Sequence, residues 1–528
     1  MPGRWRARIP LWALLTLSLY AVPVHFYAEV HTANEAIRFY FTQALVDHHE
    51  ASLDRVMARY RVRNVDVAHR DGKSYLDKAP GVSLLSVPPY FVLTRLGMST
   101  KMSSLPQLRY LLLLLVIAIP AALGALFTYR TACDLGGEPA GARRAAILLA
   151  LCSPYALYAT LFFGHTLAAA LLAGAFHYAQ RVRRQVLDVR FALLAGALAG
   201  VMFLVETTTA LLAAGIGLYL LSGPRRFRVC LAFGAGAAPF VLAQLVYNLL
   251  LFGGPLVFGY AHKPAAGYGS LQAAGLFGIR TPALWSFARL LFGSHRGLFF
   301  GWPALALAIP GFWMLWRRRT ERAEWWTISL LCVGYALAIS SMPDWNAGAV
   351  YGPRHFVGML PLLVLPVAHL RGTLVRTLAP GLLVASFLAT WAIALTFPYA
   401  MDGFANPIFE EAGLLLAEGL FGPSLATLLG GPAFLAPLLV IGLALALVWV
   451  LWREERIAPP RWAALATVVL PVLWLLGGAA ATPAQTPENQ IDRADIMSML
   501  GPRGVEKARA ICDELKQCPR RLLSVLGR

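Results

Sequence analysis

Long apolar runs recur along almost the whole of this chain, and no single soluble core could absorb them. A helix needs about 20 such residues to cross the hydrocarbon of a bilayer. By that measure thirteen stretches read as membrane spans: 9–27, 107–128, 145–162, 166–181, 190–205, 208–222, 229–252, 298–316, 324–341, 355–370, 376–396, 431–452 and 462–480. Only 14% of the 528 residues are charged and the mean hydropathy is +0.61, whereas a soluble globular chain carries about a quarter charged residues. An ordinary soluble enzyme and a disordered chain are both excluded. The fold class is an all-α polytopic membrane protein.

The formal net charge of +19 invites a nucleic-acid partner until the basic residues are located. Arg4, Arg6 and Arg8 precede the first span and place the N-terminus inside. Every second loop then carries arginines: Arg130/Arg143/Arg144, Arg181/Arg183/Arg184/Arg190, Arg225/Arg226/Arg228, Arg317/Arg318/Arg319/Arg322, Arg371/Arg376 and Arg453/Arg456/Arg461. The four shortest outer segments, around His165, Glu206, Asp344 and Asp402, hold a single one, Arg354. This is the positive-inside rule. It places the N-terminus in the cytoplasm and the C-terminus outside, with no nucleic-acid partner. Counting Val82–Leu96 as a further crossing would invert the rule downstream, so that proline-containing stretch reads as an interfacial or re-entrant helix. The first apolar run lacks a clear signal-peptide cleavage site and reads as an uncleaved helix.

The chain divides into a transmembrane domain over 1–480 and an extracytoplasmic tail over 481–528, with no internal repeat. Two long outer loops are expected, 28–106 and 253–297. The first is expected to contain amphipathic juxtamembrane helices, one over 34–47 lying flat on the membrane and a polar-faced one over 45–63. Cys512 and Cys518 are too far apart along an ideal helix to bond, so a disulfide between them requires the helix to end before Cys518.

Charge is expensive near a membrane, so its placement is informative. Glu35 stands in the first turn of a juxtamembrane helix, where the helix dipole alone favours a carboxylate; it reads equally as a helix-start acid and as a functional group. In Asp71-Gly-Lys-Ser-Tyr75-Leu-Asp77-Lys78-Ala-Pro80-Gly81 the Asp-Gly pair signals a turn, Lys73–Leu76 an extended segment, and Pro80-Gly81 a helix start. Lys78 at that start suits a phosphate or simply snorkels to the membrane surface. In Asp344-Trp-Asn-Ala-Gly-Ala-Val-Tyr351-Gly-Pro-Arg354-His355, Arg354 stands against the arginine trend and calls for an anionic partner, either a ligand or a structural acid. Glu206, before Thr207-Thr208-Thr209, reads as a span-end acid or as a wall of the same cavity. His262 lies in a Gly/Pro-rich loop that either covers a site or is merely ordered.

These motifs, Asn34-Glu35, Asp71–Gly81, Tyr247-Asn248…Phe252-Gly253-Gly-Pro255, Arg296-Gly297-Leu-Phe-Phe300 and Tyr351-Gly-Pro-Arg354, resemble those of bacterial membrane glycosyltransferases of the GT-C superfamily, over roughly residues 9–400. The nearest group is the polyprenyl-phosphate-dependent transferases related to aminoarabinose transferases and protein O-mannosyltransferases. The resemblance implies a polyprenyl-phosphate-linked sugar donor, a lipid, polysaccharide or protein acceptor, an active site on the outer face and inversion at the anomeric carbon. It implies Glu35 as catalytic base, although many members carry Asp-Glu where this chain has Asn34-Glu35. It implies Lys78, in Lys78-Ala79-Pro80, as a contact of the donor phosphate; the charge growing on the leaving phosphate calls for Arg354 as well, with Tyr351 or His165 beside it. Asn34, Tyr75, Asp77, Glu206, His262 and Asp344 are then candidates for the substrate and acceptor cavity. Relatives carry an acid near a bound metal where this chain reads Phe163-Gly164-His165. His165 is therefore the candidate ligand of a divalent cation, Mg or Mn, though no residue pattern by itself demands a cofactor. A transporter or flippase would show charge near the bilayer midplane and repeat symmetry, and a non-catalytic scaffold has no need of Glu35 and Lys78 at one surface.

Overall fold

The computed structural model describes residues 10–25, 32–63, 66–263, 283–401, 403–455, 461–519 and 523. Asp402, named among the outer segments, lies outside them, as do Arg4, Arg6, Arg8 and Arg456. The chain is helical apart from one two-stranded hairpin. Among the described residues five helices are long and apolar enough to cross a membrane: Met102–Asp134, Arg226–Phe252, Arg319–Ser340, Thr373–Leu395 and Trp462–Ala480. Six shorter apolar helices accompany them, including Leu11–Tyr20, Arg190–Val205, Thr207–Leu221 and Leu435–Leu451. The chain is a multi-pass membrane protein, and a helix occupies each of the thirteen apolar stretches. Several are broken by proline, which removes a backbone donor and clashes with the preceding turn. Pro154 splits the 139–158 stretch, and Pro303, Pro361 and Pro366 accompany 3-10 turns in the later ones.

The segment read as the first outer loop differs from that reading in two ways. Helix Ala33–Asp47 does not present one face outward, because every residue from Asn34 to Ala44 is buried. Helix Gly81–Arg95 lies against it, and two hydroxyls join the pair: Ser83 Oγ donates to the Arg38 carbonyl at 2.8 Å, and Thr42 Oγ1 to the Ser83 carbonyl at 3.2 Å. The polar-faced helix expected over 45–63 is reduced to Asp54–Tyr60. His49 takes φ +55° and turns the chain. Just before the new helix, Ser52 Oγ accepts from the Asp54 N–H at 3.3 Å. The hairpin forms as its residues dictate: Val67–Arg70 pairs antiparallel with Lys73–Leu76. Asp71 and Gly72 both take positive φ, the conformation that an Asp-Gly two-residue turn supplies.

Glycines set the closest approaches between helices. A Cβ at Gly196 or Gly236 would strike the Phe233 or Leu193 carbonyl of the facing helix, so Arg190–Val205 and Arg226–Phe252 cross backbone to backbone. Two more converge on the end of Arg190–Val205. A Cβ at Gly81 would lie 2.5 Å from the Leu204 carbonyl oxygen, and one at Gly164 would lie 3.0 Å from that of Val205. These contacts draw the starts of Gly81–Arg95 and Gly164–Arg183 onto the residue before Glu206.

In the tail, helices Pro487–Ser498 and Pro502–Leu515 pack together. The second ends at Leu515, with Lys516 left-handed, and Cys512 and Cys518 are joined with Cα atoms 4.9 Å apart. The Lys507–Glu418 ion pair at 2.8 Å ties the tail to the 397–430 loop.

Gly81→Ala should therefore destabilise by about 1–3 kcal/mol, the range for overpacking a tight contact. Gly442→Ala, on a helix with nothing within 4 Å, should be neutral or slightly stabilising. Thermal unfolding in detergent distinguishes them, and equal midpoints for the two variants would refute the contact.

Candidate active site

Each of the two converging glycines is followed or preceded by a polar residue, and the packing brings those residues together. Lys78 lies three residues before Gly81, His165 directly after Gly164, and Glu206 directly after Val205. A third close contact adds the segment after Phe252: a Cβ at Gly259 would lie 2.8 Å from the Asp77 Cα, and Tyr260 and Lys263 follow.

Lys78 and Lys263 face Asp66 and Asp77 in a closed set of four charges. Lys78 Nζ is 3.0 Å from Asp77 Oδ2 and 3.3 Å from Asp66 Oδ1, while Lys263 Nζ is 2.7 Å from Asp77 and 3.0 Å from Asp66. The Tyr260 ring covers both ammonium groups at 5.0 and 5.7 Å. Burial opposes the charge on Asp66, but Lys78 and Lys263 outweigh it and hold its carboxyl at about 2. Burial likewise opposes the charge on Lys78, and the Asp77 and Asp66 carboxylates more than offset it, so Lys78 stays protonated above its usual range.

Beside this set stand His165, Glu206 and His355. His165 Nδ1 is 3.2 Å from Glu206 Oε2, and the two imidazole rings meet edge to face at 5.2 Å. Burial raises the Glu206 carboxyl, while Arg38 and Arg354 pull the other way. Arg354 acts on Asp66, Lys78, His165 and Glu206 alike. Its Nε is buried without a hydrogen-bond partner among the described residues. Arg38 is 2% exposed and donates to Asn34 Oδ1 at 3.1 Å and to the Ala79 carbonyl at 3.4 Å. It links the first helix of the loop to the Lys78 segment.

Glu35 sits elsewhere, on a different set of partners. It is 1% exposed, and its carboxylate accepts from the Phe162 N–H, the Tyr399 hydroxyl and the Thr32 hydroxyl, the last at 3.2 Å. Burial pushes its pKa up, and the strongest opposing charge is Arg109. The remaining candidates divide. Asp77 belongs to the four-charge set, and Asn34 is joined through Arg38 to the Ala79 carbonyl next to Lys78. Tyr351 is fully buried and its carbonyl accepts from the Tyr158 hydroxyl at 3.0 Å, but the charges acting most on its own hydroxyl are Glu411 and Arg296. Tyr75 and His262 both pack on the Phe252 ring, at 6.4 and 5.5 Å, and His262 also meets the Phe252 carbonyl at 3.3 Å. Asp344 opens a turn, its carbonyl accepting from the Ala347 N–H.

Arg38, Asp66, Lys263 and His355 belong to the centre and were not singled out in the sequence. Arg38 could have been found on the Asn34 face of its helix at i+4, and His355 beside Arg354. Asp66 and Lys263 become neighbours only in the fold.

His165, Glu206 and His355 each offer one ligand atom, and these atoms lie within 4.8 Å of one another. Two imidazoles and a carboxylate fit a divalent transition-metal ion better than Mg. The nearby Arg38, Arg354 and Lys78 oppose a lone cation and suit one bound together with an anion.

No family model and no curated protein sequence matches the chain. Among solved structures it is similar to ArnT from Cupriavidus metallidurans bound to undecaprenyl phosphate, at 14% identity and a TM-score of 0.48, covering 92% of this chain and 79% of that one. It is also similar to arabinosyltransferase EmbB from Mycobacterium smegmatis, at 13% and 0.43, covering 96% of this chain and 42% of that one. A third is the Archaeoglobus fulgidus oligosaccharyltransferase in complex with Zn and sulfate, at 13% and 0.41, covering 95% of this chain and 56% of that one. The chain thus spans less than two thirds of the length of the latter two.

Asp66 provides a test of the four-charge set. Its folded pKa of about 2 lies below the ordinary carboxylate value. The stability it contributes is therefore present above about pH 4 and lost as the pH falls toward 2. Asp66→Asn should cost on the order of 3 kcal/mol at neutral pH, since it leaves buried ammonium charge uncompensated. It should also flatten the dependence of the thermal midpoint on pH between about 4 and 2, whereas parallel curves for the two proteins would contradict the ion-pair geometry.

Proposed function

We propose that this chain is an inverting glycosyltransferase of the GT-C type. It moves a sugar from a polyprenyl-phosphate carrier to an acceptor hydroxyl at the extracytoplasmic face of a bacterial inner membrane, which it crosses about thirteen times. The observation that carries this reading is the buried polar centre itself. Two lysines and two arginines, one with an unpartnered Nε, gather with three carboxylates and two imidazoles in a chain otherwise built from apolar helices. A pump needs charge spread along a path through the bilayer; a transferase drawing a lipid-anchored substrate needs it gathered at one place.

The chemistry follows from the groups present. Cleaving the sugar–phosphate bond leaves charge on the departing polyprenyl phosphate, and fixed cations at that position lower the barrier. Arg354 is placed for this by its unpartnered Nε, and Arg38 adds a planar donor held by Asn34. Lys78 and Lys263, already neutralised by Asp66 and Asp77, hold the segment rigid and exchange partners when a phosphate enters. A metal ion held by His165, Glu206 and His355 would supply further positive charge against that phosphate.

An acceptor hydroxyl must lose its proton as it attacks. Glu35 is the base that the loop motif implies. Among the described residues Oε2 accepts from Thr32 and Tyr399 and Oε1 only from the Phe162 N–H, so an acceptor hydroxyl reaches Glu35 at the second lone pair of Oε1 or in place of the Thr32 contact at 3.2 Å. Glu206 is the carboxylate already at the polar centre.

Transfer assays from a synthetic undecaprenyl-phosphate sugar in nanodiscs test the assignment. Arg354→Ala and Lys78→Ala should weaken undecaprenyl-phosphate binding tenfold or more, with Arg354→Lys restoring part of it. Glu35→Gln should lower turnover by about 10²–10⁴ with donor binding intact. A wild-type rate for Glu35→Gln together with a dead Glu206→Gln would move the base to Glu206, and unchanged lipid-phosphate affinity in both cation variants would sink the donor site.

A further inference from the structure

Glu35 is held from three places in the sequence. The Thr32 hydroxyl, three residues before it, reaches Oε2 at 3.2 Å and also accepts from the Glu35 N–H at 3.4 Å, so that contact belongs to the start of its own helix. The Phe162 N–H donates to Oε1. The Tyr399 hydroxyl donates to Oε2 from 364 residues further along the chain. Both Glu35 and Tyr399 are buried.

The surroundings fix Tyr399 in turn. Its ring meets Phe397 edge to face at 5.4 Å. The backbone on either side is tied down: the Gly422 N–H donates to the Leu395 carbonyl at 2.9 Å, and the Met401 N–H to Glu411 Oε2 at 3.3 Å. A buried cation stands near the same carboxylate. The Arg109 guanidinium lies over the Phe39 ring at 5.4 Å, and Phe39 is one turn beyond Glu35 on the same helix face. Arg109 is the strongest charge acting on Glu35, and Tyr40 and Tyr399 face Arg109 in turn.

The end of a glutamate side chain rotates in a broad well, whereas a general base must keep one oxygen within hydrogen-bond reach of the proton it takes. A hydroxyl donating to a carboxylate makes a strong, charge-assisted bond. We propose that Tyr399 is a positioning residue for the base: its hydroxyl pins Oε2 and so sets the plane of the Glu35 carboxylate, which turns the second lone pair of Oε1 toward the acceptor. In the step served, the acceptor proton passes to Oε1 as the acceptor oxygen bonds the anomeric carbon, and the electron pair of the sugar–phosphate bond leaves with the polyprenyl phosphate. Tyr399 keeps its own proton throughout. The inference rests on Glu35 being the base, as proposed above.

Because Tyr399 donates to the charged form of Glu35, removing its hydroxyl should raise the Glu35 pKa. Infrared titration of the full-length protein in nanodiscs reads this directly, the Glu35 band being the one that Glu35→Gln removes. Tyr399→Phe, which keeps the ring and its packing, should move the midpoint of that band up by about one pH unit. In the transfer assay it should lower turnover about tenfold, shift the acidic limb of the pH profile the same way, and leave undecaprenyl-phosphate binding unchanged. In the Glu35→Gln background it should cause no further loss, since the two residues act as one unit. A Tyr399→Phe protein with the wild-type midpoint and rate, or a loss that adds to that of Glu35→Gln, would overturn the positioning role while a slow Glu35→Gln leaves the base in place. A wild-type rate for Glu35→Gln removes the base itself, and this inference with it.

Discussion

The polar centre exists because two glycines let two helix starts touch the end of a third. Gly81 and Gly164 both press on the Leu204–Val205 backbone, at distances that leave no room for a Cβ. A helix start carries unsatisfied N–H groups, and here two such starts and one helix end converge on a single point. Lys78, His165 and Glu206 are the residues adjoining those contacts. Their meeting is thus a consequence of backbone packing, with no dedicated scaffold of its own. Gly259 repeats the device on Asp77 and adds Tyr260 and Lys263.

Electrostatics then decides how such a cluster survives burial. Four cationic side chains in one low-dielectric place would repel strongly. Asp66 and Asp77 neutralise Lys78 and Lys263, and Glu206 offsets part of the charge of Arg38 and Arg354, which leaves a smaller positive surplus. That surplus distinguishes a site able to receive an anion from a closed structural network. Glu35 illustrates the opposite arrangement. Its three hydrogen bonds and its proximity to Arg109 hold the first loop against the 162 and 399 segments.

How far the sequence could be read depended on the range of the interaction concerned. Apolar runs, proline breaks, the Asp71-Gly72 turn and the helix start at Gly81 are local, and each appears where its residues require it. The helix over 34–47 was located correctly, but its environment was not: it was expected on a membrane surface and is enclosed on all sides. Amphipathic spacing records which face is more apolar and carries no information about what later packs on the other. The run over 45–63 failed for a related reason, since the turn at His49 and the Ser52–Asp54 hydrogen bond outweigh a continuous helical pattern. Lys78, Arg354, Glu206, His165 and Asp77 stood out as charge in places where charge is costly. Arg38, Asp66, Lys263 and His355 looked like ordinary loop or helix residues.

By itself the sequence determined that this chain lives in a membrane, roughly where its helices run, and which few polar residues lie at their ends, because hydropathy, proline and glycine act over a handful of neighbouring residues. Only the tertiary structure decided that Asp66 meets Lys263, that His165 meets His355, and that Arg296 holds the loop between Trp345 and Arg354. Those partners lie about 50 to 200 residues apart, and helix packing at glycine contacts, which no local pattern encodes, is what closes the distance.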